Sequence, residues 1–378
     1  KLGKFLSIIV VFSAMVIFIT GYIEKIEFYD IFVTAVAVAV AAIPEGLPAA
    51  IAVVLAVASK NIFNNSGLVK KLLAAETLGS VSTLLTDKTG TLTEGKMKVE
   101  KIISVETEDR IFSALAFANE AILEKTKDGI VAKGEATDMA KFNVFLEKGL
   151  DFSKMMEASP RINFLPFNSS SKLMASYHAT KLNQSDAVHV YASGSPESIL
   201  AITQDFARKK EIVEEFENFA QRGFRMIAVA EEILPLESND VATKKEKELL
   251  GLLTGLTFLV LVAIRDPIRD DVKETVKEVR GAGIRIIMFT GDHRLTAVTI
   301  GQELGFKTSD ANIMEGSEID KIAEKDLFEK ISKVEIFSRV DPKHKMLITK
   351  LWKDAGESVA VTGDGINDAP ALHIADIG

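Results

Sequence analysis

Four short apolar runs, each closing on a turn of Asp, Thr and Gly, constrain this chain more than any other feature. Val81–Thr86 runs into Asp87-Lys88-Thr89-Gly90-Thr91-Leu92-Thr93, and Ile284–Phe289 runs into Thr290-Gly291-Asp292. Val334–Phe337 leads to Ser338-Arg339-Val340-Asp341-Pro342, and Ser358–Val361 leads to Thr362-Gly363-Asp364-Gly365-Ile366-Asn367-Asp368. Continuous apolar runs alternating with helical patterns predict a parallel α/β sheet. In such sheets the active site lies off the carboxyl ends of the strands, so the four turns should converge on one crevice. The helices between agree. Val272, Val276 and Val279 share one helical face, with Gly281 placed to end the helix. Asp341-Pro342 reads as an N-cap followed by a first-turn proline, opening an amphipathic stretch that runs to Trp352.

Between Glu94 and Asp266 the pattern changes. Strand runs such as Val188–Ala192 and Met226–Ala230 mix with helices rich in Lys and Glu. This block reads as a separate α+β domain inserted through two crossings, near Glu94-Gly95 and Asp266-Pro267. The charged run Lys244–Glu248 reads as a solvated helix face. Four ranges follow: residues 1–59, 60–94, 95–265 and 266–378, the second and fourth being halves of one parallel-sheet domain.

The first of these ranges is different in kind. Phe5–Ile23 carries no charged residue and Ile31–Ala58 only Glu45. About 20 apolar residues span a bilayer core, so both segments are expected to be transmembrane helices. Lys1 and Lys4 precede the pair, Lys60, Lys70 and Lys71 follow it, and the link Glu24–Asp30 is mostly acidic. The positive-inside rule then puts both ends of the hairpin, and everything after it, in the cytoplasm. Within the second span stands Pro44-Glu45-Gly46-Leu47-Pro48. Two prolines four apart should unwind the helix and free its carbonyls beside a carboxylate, which suits a hard cation. The plainer alternative is a proline kink with a protonated or paired glutamate. An ionisable residue at membrane depth marks a pathway more often than not, which favours Glu45 as a cation ligand.

The crevice chemistry follows from residue types. Asp87, Asp292, Asp364 and Asp368 would gather there with Lys345 and Thr290. Clustered carboxylates need a cation, and oxygen-only ligands suit Mg²⁺. A carboxylate can attack phosphorus to give an aspartyl phosphate, with Lys345 and Thr290 stabilising the transferred group. No Gly-x-x-x-x-Gly-Lys-Ser/Thr loop occurs, so the phosphates are not held in Walker fashion. With no cysteine among 378 residues, disulfide scaffolds, thiolate zinc sites and catalytic thiols are excluded. A net charge of −8 argues against a nucleic-acid partner. The five histidines lack metal-ligand spacing. Met155-Met156 reads as packing, Phe167 by position alone as a core aromatic, and Asp292 as an additional cap of the helix after it.

Asp87-Lys88-Thr89-Gly90-Thr91-Leu92-Thr93 matches, residue for residue, the phosphorylation signature of the P-type cation-transporting ATPases. Thr290-Gly291-Asp292, Asp266-Pro267 with Arg269, and Thr362 to Pro370 match the family's other phosphorylation-domain motifs. Pro44-Glu45-Gly46-Leu47-Pro48 resembles the fourth membrane helix of the type II, calcium-pump-like branch. The resemblance covers the whole chain. It implies a haloacid-dehalogenase-like parallel-sheet domain interrupted by a nucleotide-binding domain and preceded by a membrane hairpin.

By that resemblance Asp87 is the phosphorylated residue, in a catalytic set with Lys88, Thr89, Thr290, Gly291, Asp292, Lys345, Asn367 and Asp368. Thr89 and Asp364 join Asp87 around Mg²⁺. ATP would be held by Phe167 stacking on adenine, with Lys172, Gly194, Glu135 and Asp138 nearby; Arg225, Arg339 and Asp266 would lie toward ribose and phosphates. The implied partners are ATP, a transported cation (Ca²⁺ favoured), the lipid bilayer of the plasma membrane and further domains of the same pump. The chain starts at Lys1 and lacks the actuator domain's Thr-Gly-Glu loop and the later membrane helices, so it reads as a fragment. Three departures stand out. Ser193-Gly194-Ser195-Pro196-Glu197 occupies the place of the usual Lys-Gly-Ala-Pro-Glu, removing an ammonium from the adenine pocket; Asp138 stands for a common Glu, and Leu85 for a common Cys.

Two rivals remain. Haloacid-dehalogenase phosphatases commonly carry a second Asp two residues after the nucleophile, where this chain has Thr89, which favours a longer-lived intermediate. A non-catalytic nucleotide-binding membrane protein would have lost a crevice carboxylate, and all are present.

Overall fold

The structure is a computed structural model describing residues 2–41, 46–126 and 129–378, and the side chains of these except at 2–7, 47, 48, 123, 125, 126, 129, 130 and 325. Contacts divide it into two units, residues 1–80 and 81–378.

The first unit holds the helices Leu2–Ile23, Phe28–Ala41, Leu47–Asn64 and Leu73–Leu78. Gly21 is where the first two come together, since a Cβ there would lie 2.6 Å from Ile31 Cγ1. Ile31 and Ala35 are buried at this contact, whereas Ile8, Val11, Phe12, Phe32, Val53 and Val54 are exposed. The expected first span falls inside Leu2–Ile23, whose described side chains begin at Ile8. The expected second span is shared between Phe28–Ala41 and Leu47–Asn64; Pro44 and Glu45 lie outside the described residues. Among the described residues no helix is long and apolar enough to cross a membrane.

In the second unit the apolar runs form the expected parallel sheet, in the order Ile313–Glu315, Ile336–Ser338, Arg285–Phe289, Thr83–Asp87, Val359–Thr362. Both faces are covered, which is why the runs are apolar throughout. On one face Leu85 packs with Ile287, Phe289, Phe337 and Val361; on the other Leu84 joins Ile286, Met288 and Ile336. Asp87 pairs in register with Phe289, and Thr86 with Thr362, so the loaded turns leave one edge together. The fifth strand, Ile313–Glu315, has an apolar run of only Ile313-Met314, too short to predict a strand.

Asp341 caps the helix Pro342–Asp354 as expected, its Oδ1 accepting from the backbone N–H groups of Lys343 at 2.9 Å and His344 at 3.1 Å. The helix Val272–Gly281 ends at Gly281 as expected, and Gly283, at φ 83°, makes the left-handed turn after it. One helix-end expectation needs correction. The helix Arg294–Glu303 is capped by His293, whose Nδ1 accepts from the Leu295 N–H at 3.3 Å; Asp292 has a different partner, described below.

The block between the crossings forms a six-stranded antiparallel sheet, ordered Lys98–Ser104, Thr257–Arg265, Arg225–Leu234, Ser185–Gly194, Leu173–Leu182, Arg161–Asn168. Lys98 pairs with Arg265, so the chain enters and leaves this sheet side by side. Apolar clusters cover its two faces, one around Tyr177, Val190 and Leu261, the other around Phe142, Phe145 and Val260. Met155 and Met156 pack against the second cluster, and Lys245 to Glu248 are exposed, both as expected.

Candidate functional site

Asp87 ends the central strand, 8% exposed, and the chain turns sharply behind it. The Thr89 N–H donates to Asp87 Oδ2 at 2.9 Å, and Gly90 takes φ 73°, which a side chain would resist. A Cβ on Gly90 would also run into the Asp364 carboxyl, 2.6 Å from its Cγ, so this glycine leaves room for Asp364. Arg269 fastens the turn from outside, Nη2 donating to the Gly90 carbonyl at 2.7 Å and Nε to that of Thr93 at 3.1 Å.

Lys345, on the helix capped by Asp341, brings its ammonium between two carboxylates. It donates to Asp87 Oδ1, and to Asp368 Oδ1 at 2.7 Å. Burial opposes its charge, but Asp368 and Asp87 more than compensate and hold it above the usual lysine value. Asp87 itself is raised, because burial and the nearby Asp368 outweigh Lys345 and the Thr89 N–H. Burial is the larger cause, and an excess of negative charge adds to it. Oxygens of Asp87, Asp364 and Asp368 lie within 4.8 Å of one another with a single ammonium between two of them. Oxygen-only donors with excess negative charge fit Mg²⁺, and the bare Cα of Gly90 is what lets the Asp364 carboxyl join them.

Lys88 points elsewhere, its Nζ 2.7 Å from Asp292 Oδ2 and 4.0 Å from Asp266. Thr290 is buried and its Oγ1 accepts from the Asp292 N–H at 3.0 Å, while Gly291 and Asn367 are exposed.

Asp266 ties the two crossings together. Its Oδ2 accepts from Thr93 Oγ1 at 2.5 Å and its Oδ1 from the backbone N–H groups of Gly95 at 2.8 Å and Lys96 at 3.2 Å.

A second cavity, of about 590 Å³, opens on the antiparallel sheet. Its lining includes Glu135, Asp138, Phe167, Lys172, Gly194 and Arg225, all singled out in the sequence. Phe167 is 57% exposed, so it is not a core aromatic. Its backbone N–H donates to Glu120 Oε1 at 2.6 Å, holding the ring at the rim. A Cβ on Gly194 would lie 2.8 Å from Leu173 Cα, which explains the glycine there. Asp266 and Arg339 do not line this cavity. Arg339 is exposed at φ 49°, its N–H donating to the Asp292 carbonyl at 3.1 Å. Glu120 and Lys141 line the cavity without any motif having marked them. A smaller cavity of about 290 Å³ shares Arg225 with it and reaches Lys88, Asp266 and Asp292.

The sequence model of the haloacid dehalogenase-like hydrolases matches residues 81–376. The chain belongs to that family. Among this hydrolase's relatives, Calcium-transporting ATPase 1 of Bacillus cereus is 32% identical over 403 residues, covering 100% of the chain and 44% of the relative. Calcium-transporting ATPase of Bacillus subtilis is 32% identical, covering 100% of the chain and 46% of the relative. Calcium-transporting ATPase 1 of Saccharomyces cerevisiae is 31% identical, again over 100% of the chain and 43% of the relative. The type II P-type ATPase resemblance therefore runs the whole length of this haloacid dehalogenase-like hydrolase, and the chain spans less than half of these relatives.

Proposed function

We propose that this chain is the phosphorylated, nucleotide-binding part of an ATP-driven cation pump, with Ca²⁺ the cation its relatives favour. The observation that carries the proposal is Asp87, on the edge of the central strand, with Thr89, Lys345, Asp364 and Asp368 around it. Bound Mg²⁺ would be held by Asp87, Asp364 and Thr89 and would neutralise phosphate charge. A carboxylate oxygen of Asp87 attacks the γ-phosphorus of ATP; the new O–P bond forms as the bond to the ADP oxygen breaks, and ADP leaves. Lys345 and Thr290 stabilise charge on the phosphoryl group in flight. Water later cleaves the acyl phosphate. Thr89, where phosphatases commonly carry an acid, leaves that step slow without further domains.

ATP lies with adenine against Phe167 in the larger cavity and its phosphates past Arg225 toward Lys88, Asp292 and Arg339. Asp266 acts as the clasp between sheets that lets residues 95–265 bring nucleotide to Asp87. The exposed apolar side chains of residues 8–57 suit a lipid surrounding, so residues 1–59 are read as the membrane hairpin and Glu45 as a cation ligand.

The test uses the full-length pump containing this chain, in membranes, with γ-labelled ATP, Mg²⁺ and a panel of cations. An acid-stable, hydroxylamine-sensitive phosphoprotein that needs one cation and disappears in Asp87→Asn is the expected result. No label under any cation, with ATP binding intact, overturns the catalytic reading.

A further inference from the structure

Lys141, which no motif marks, is the most deeply buried cation of the base cavity. It sits on the helix Ala136–Glu147, only 2% exposed, yet lines the cavity. Its Nζ donates to the Ala118 carbonyl at 2.7 Å and to Ser193 Oγ at 3.0 Å, and pairs with Asp138 Oδ1 at 2.8 Å. An ammonium has three protons, and all three are placed. Burial pulls Lys141 below the usual lysine value while Asp138 works to keep it charged.

Ser193 is the position where the P-type signature usually has a lysine. It is 1% exposed and lines the same cavity. Because Ser193 Oγ accepts from Lys141, its own proton remains to be given away, and among the described residues it donates to none. We infer that Lys141 takes over, from the helix, the cationic role absent from the strand at Ser193, and that through the Ser193 hydroxyl it selects adenine nucleotides.

The chemistry is that of a donor beside acceptors. A hydroxyl whose oxygen already accepts from an ammonium is a strengthened donor. Asp138, Glu120 and Glu135 supply carboxylate acceptors in the same cavity. Adenine offers a ring-nitrogen acceptor next to an amino donor, which matches that pair. Guanine offers a ring N–H next to a carbonyl, which reverses it and leaves buried groups unpaired. Lys141 is thus a positioning residue for the base. A lysine that merely clamped helix to strand would leave selectivity between bases untouched.

This inference rests on the nucleotide-binding reading, and the experiment separates the two. The chain, in detergent, is titrated calorimetrically with Mg²⁺-free ADP and with GDP. The wild-type chain should prefer ADP. Ser193→Ala, which keeps the Lys141–Asp138 pair and the Ala118 bond, should weaken ADP binding about tenfold and narrow the ADP/GDP ratio. Lys141→Met should do at least as much, and combining it with Ser193→Lys, which returns an ammonium to the strand, should recover most of the loss. ADP affinity and ratio unchanged in Ser193→Ala, or equal weakening of both nucleotides with no rescue in the double variant, overturns the inference and leaves a structural lysine. A wild-type chain that binds neither nucleotide overturns the nucleotide reading, and the inference with it.

Discussion

At the residue scale, two buried ionisable groups make opposite demands on their surroundings. Lys345 is buried and charged, shared between Asp87 and Asp368. Removing one partner of a buried charge cluster costs about 3–5 kcal/mol, so Lys345→Met should lower unfolding stability by roughly that amount in urea titrations without Mg²⁺. Adding Asp368→Asn should restore part of it, since one uncompensated charge goes; a double variant no more stable than the single would contradict the charge argument. His178 is buried and neutral. Its Nδ1 meets the Ser159 carbonyl at 2.9 Å, its Nε2 has no partner among the described residues, and burial lowers it to about 4. A group held below its unfolded value takes up its proton in the unfolded chain first, so stability falls as pH drops through the window from 6.5 toward 4. Between pH 7 and pH 5 this residue should remove about 2 kcal/mol. The same titration at both pH values should show that slope in the wild-type chain and its absence in His178→Phe. His178 also shows where sequence legibility stopped. Nothing in its flanks tells a buried neutral histidine from an exposed one, just as nothing around Lys141 says that Ser193 lies beside it. Asp87, Thr89 and Asp364 were legible because they sit in turns whose spacing is fixed by the strands before them.

At the scale of elements, the turn 88–92 and the helix behind Lys345 set the site. Gly90→Ala must hold an alanine at φ 73° and push Asp364 away. The left-handed backbone alone costs about 1–2 kcal/mol. Phosphoenzyme formation should fall severalfold, and more so at low Mg²⁺, if Asp364 helps bind the ion; an unchanged Mg²⁺ dependence would argue against that role. Asp341→Ala removes the N-cap of Pro342–Asp354 and should cost about 1 kcal/mol in urea unfolding with little effect on nucleotide binding. The strands and this cap were readable because apolar runs and Asp-Pro have strong local causes. The strand Ile313–Glu315 and the His293 cap were not, since one is short and the other depends on which of two adjacent side chains reaches the free N–H.

Across the whole molecule, the two units differ in surface character. Residues 81–378 bury most of their large apolar side chains around two sheets, while Phe12, Tyr22, Phe32 and Val54 of the first unit stand exposed. The complete chain is expected to float with lipid vesicles in a density gradient, and the same chain without residues 1–80 to stay at the bottom. Flotation of both would place the lipid affinity elsewhere. The charge-free runs put this division at 59/60, whereas the contacts put it after Ser80 and group residues 60–80 with the first unit.

The central strand has a consequence for how the molecule is made. Thr83 pairs with Arg285 on one side and with Val359 on the other. A ribosome working at about 5–20 residues per second completes that strand at least ten seconds before its first neighbour emerges. Throughout that wait Leu84 and Leu85 have no sheet to enter, whereas every strand pair of the antiparallel insert except its entry-and-exit pair closes within a shorter stretch of chain. The insert should therefore fold first on the nascent chain, and within residues 81–378 the acidic crevice around Asp87 should form last.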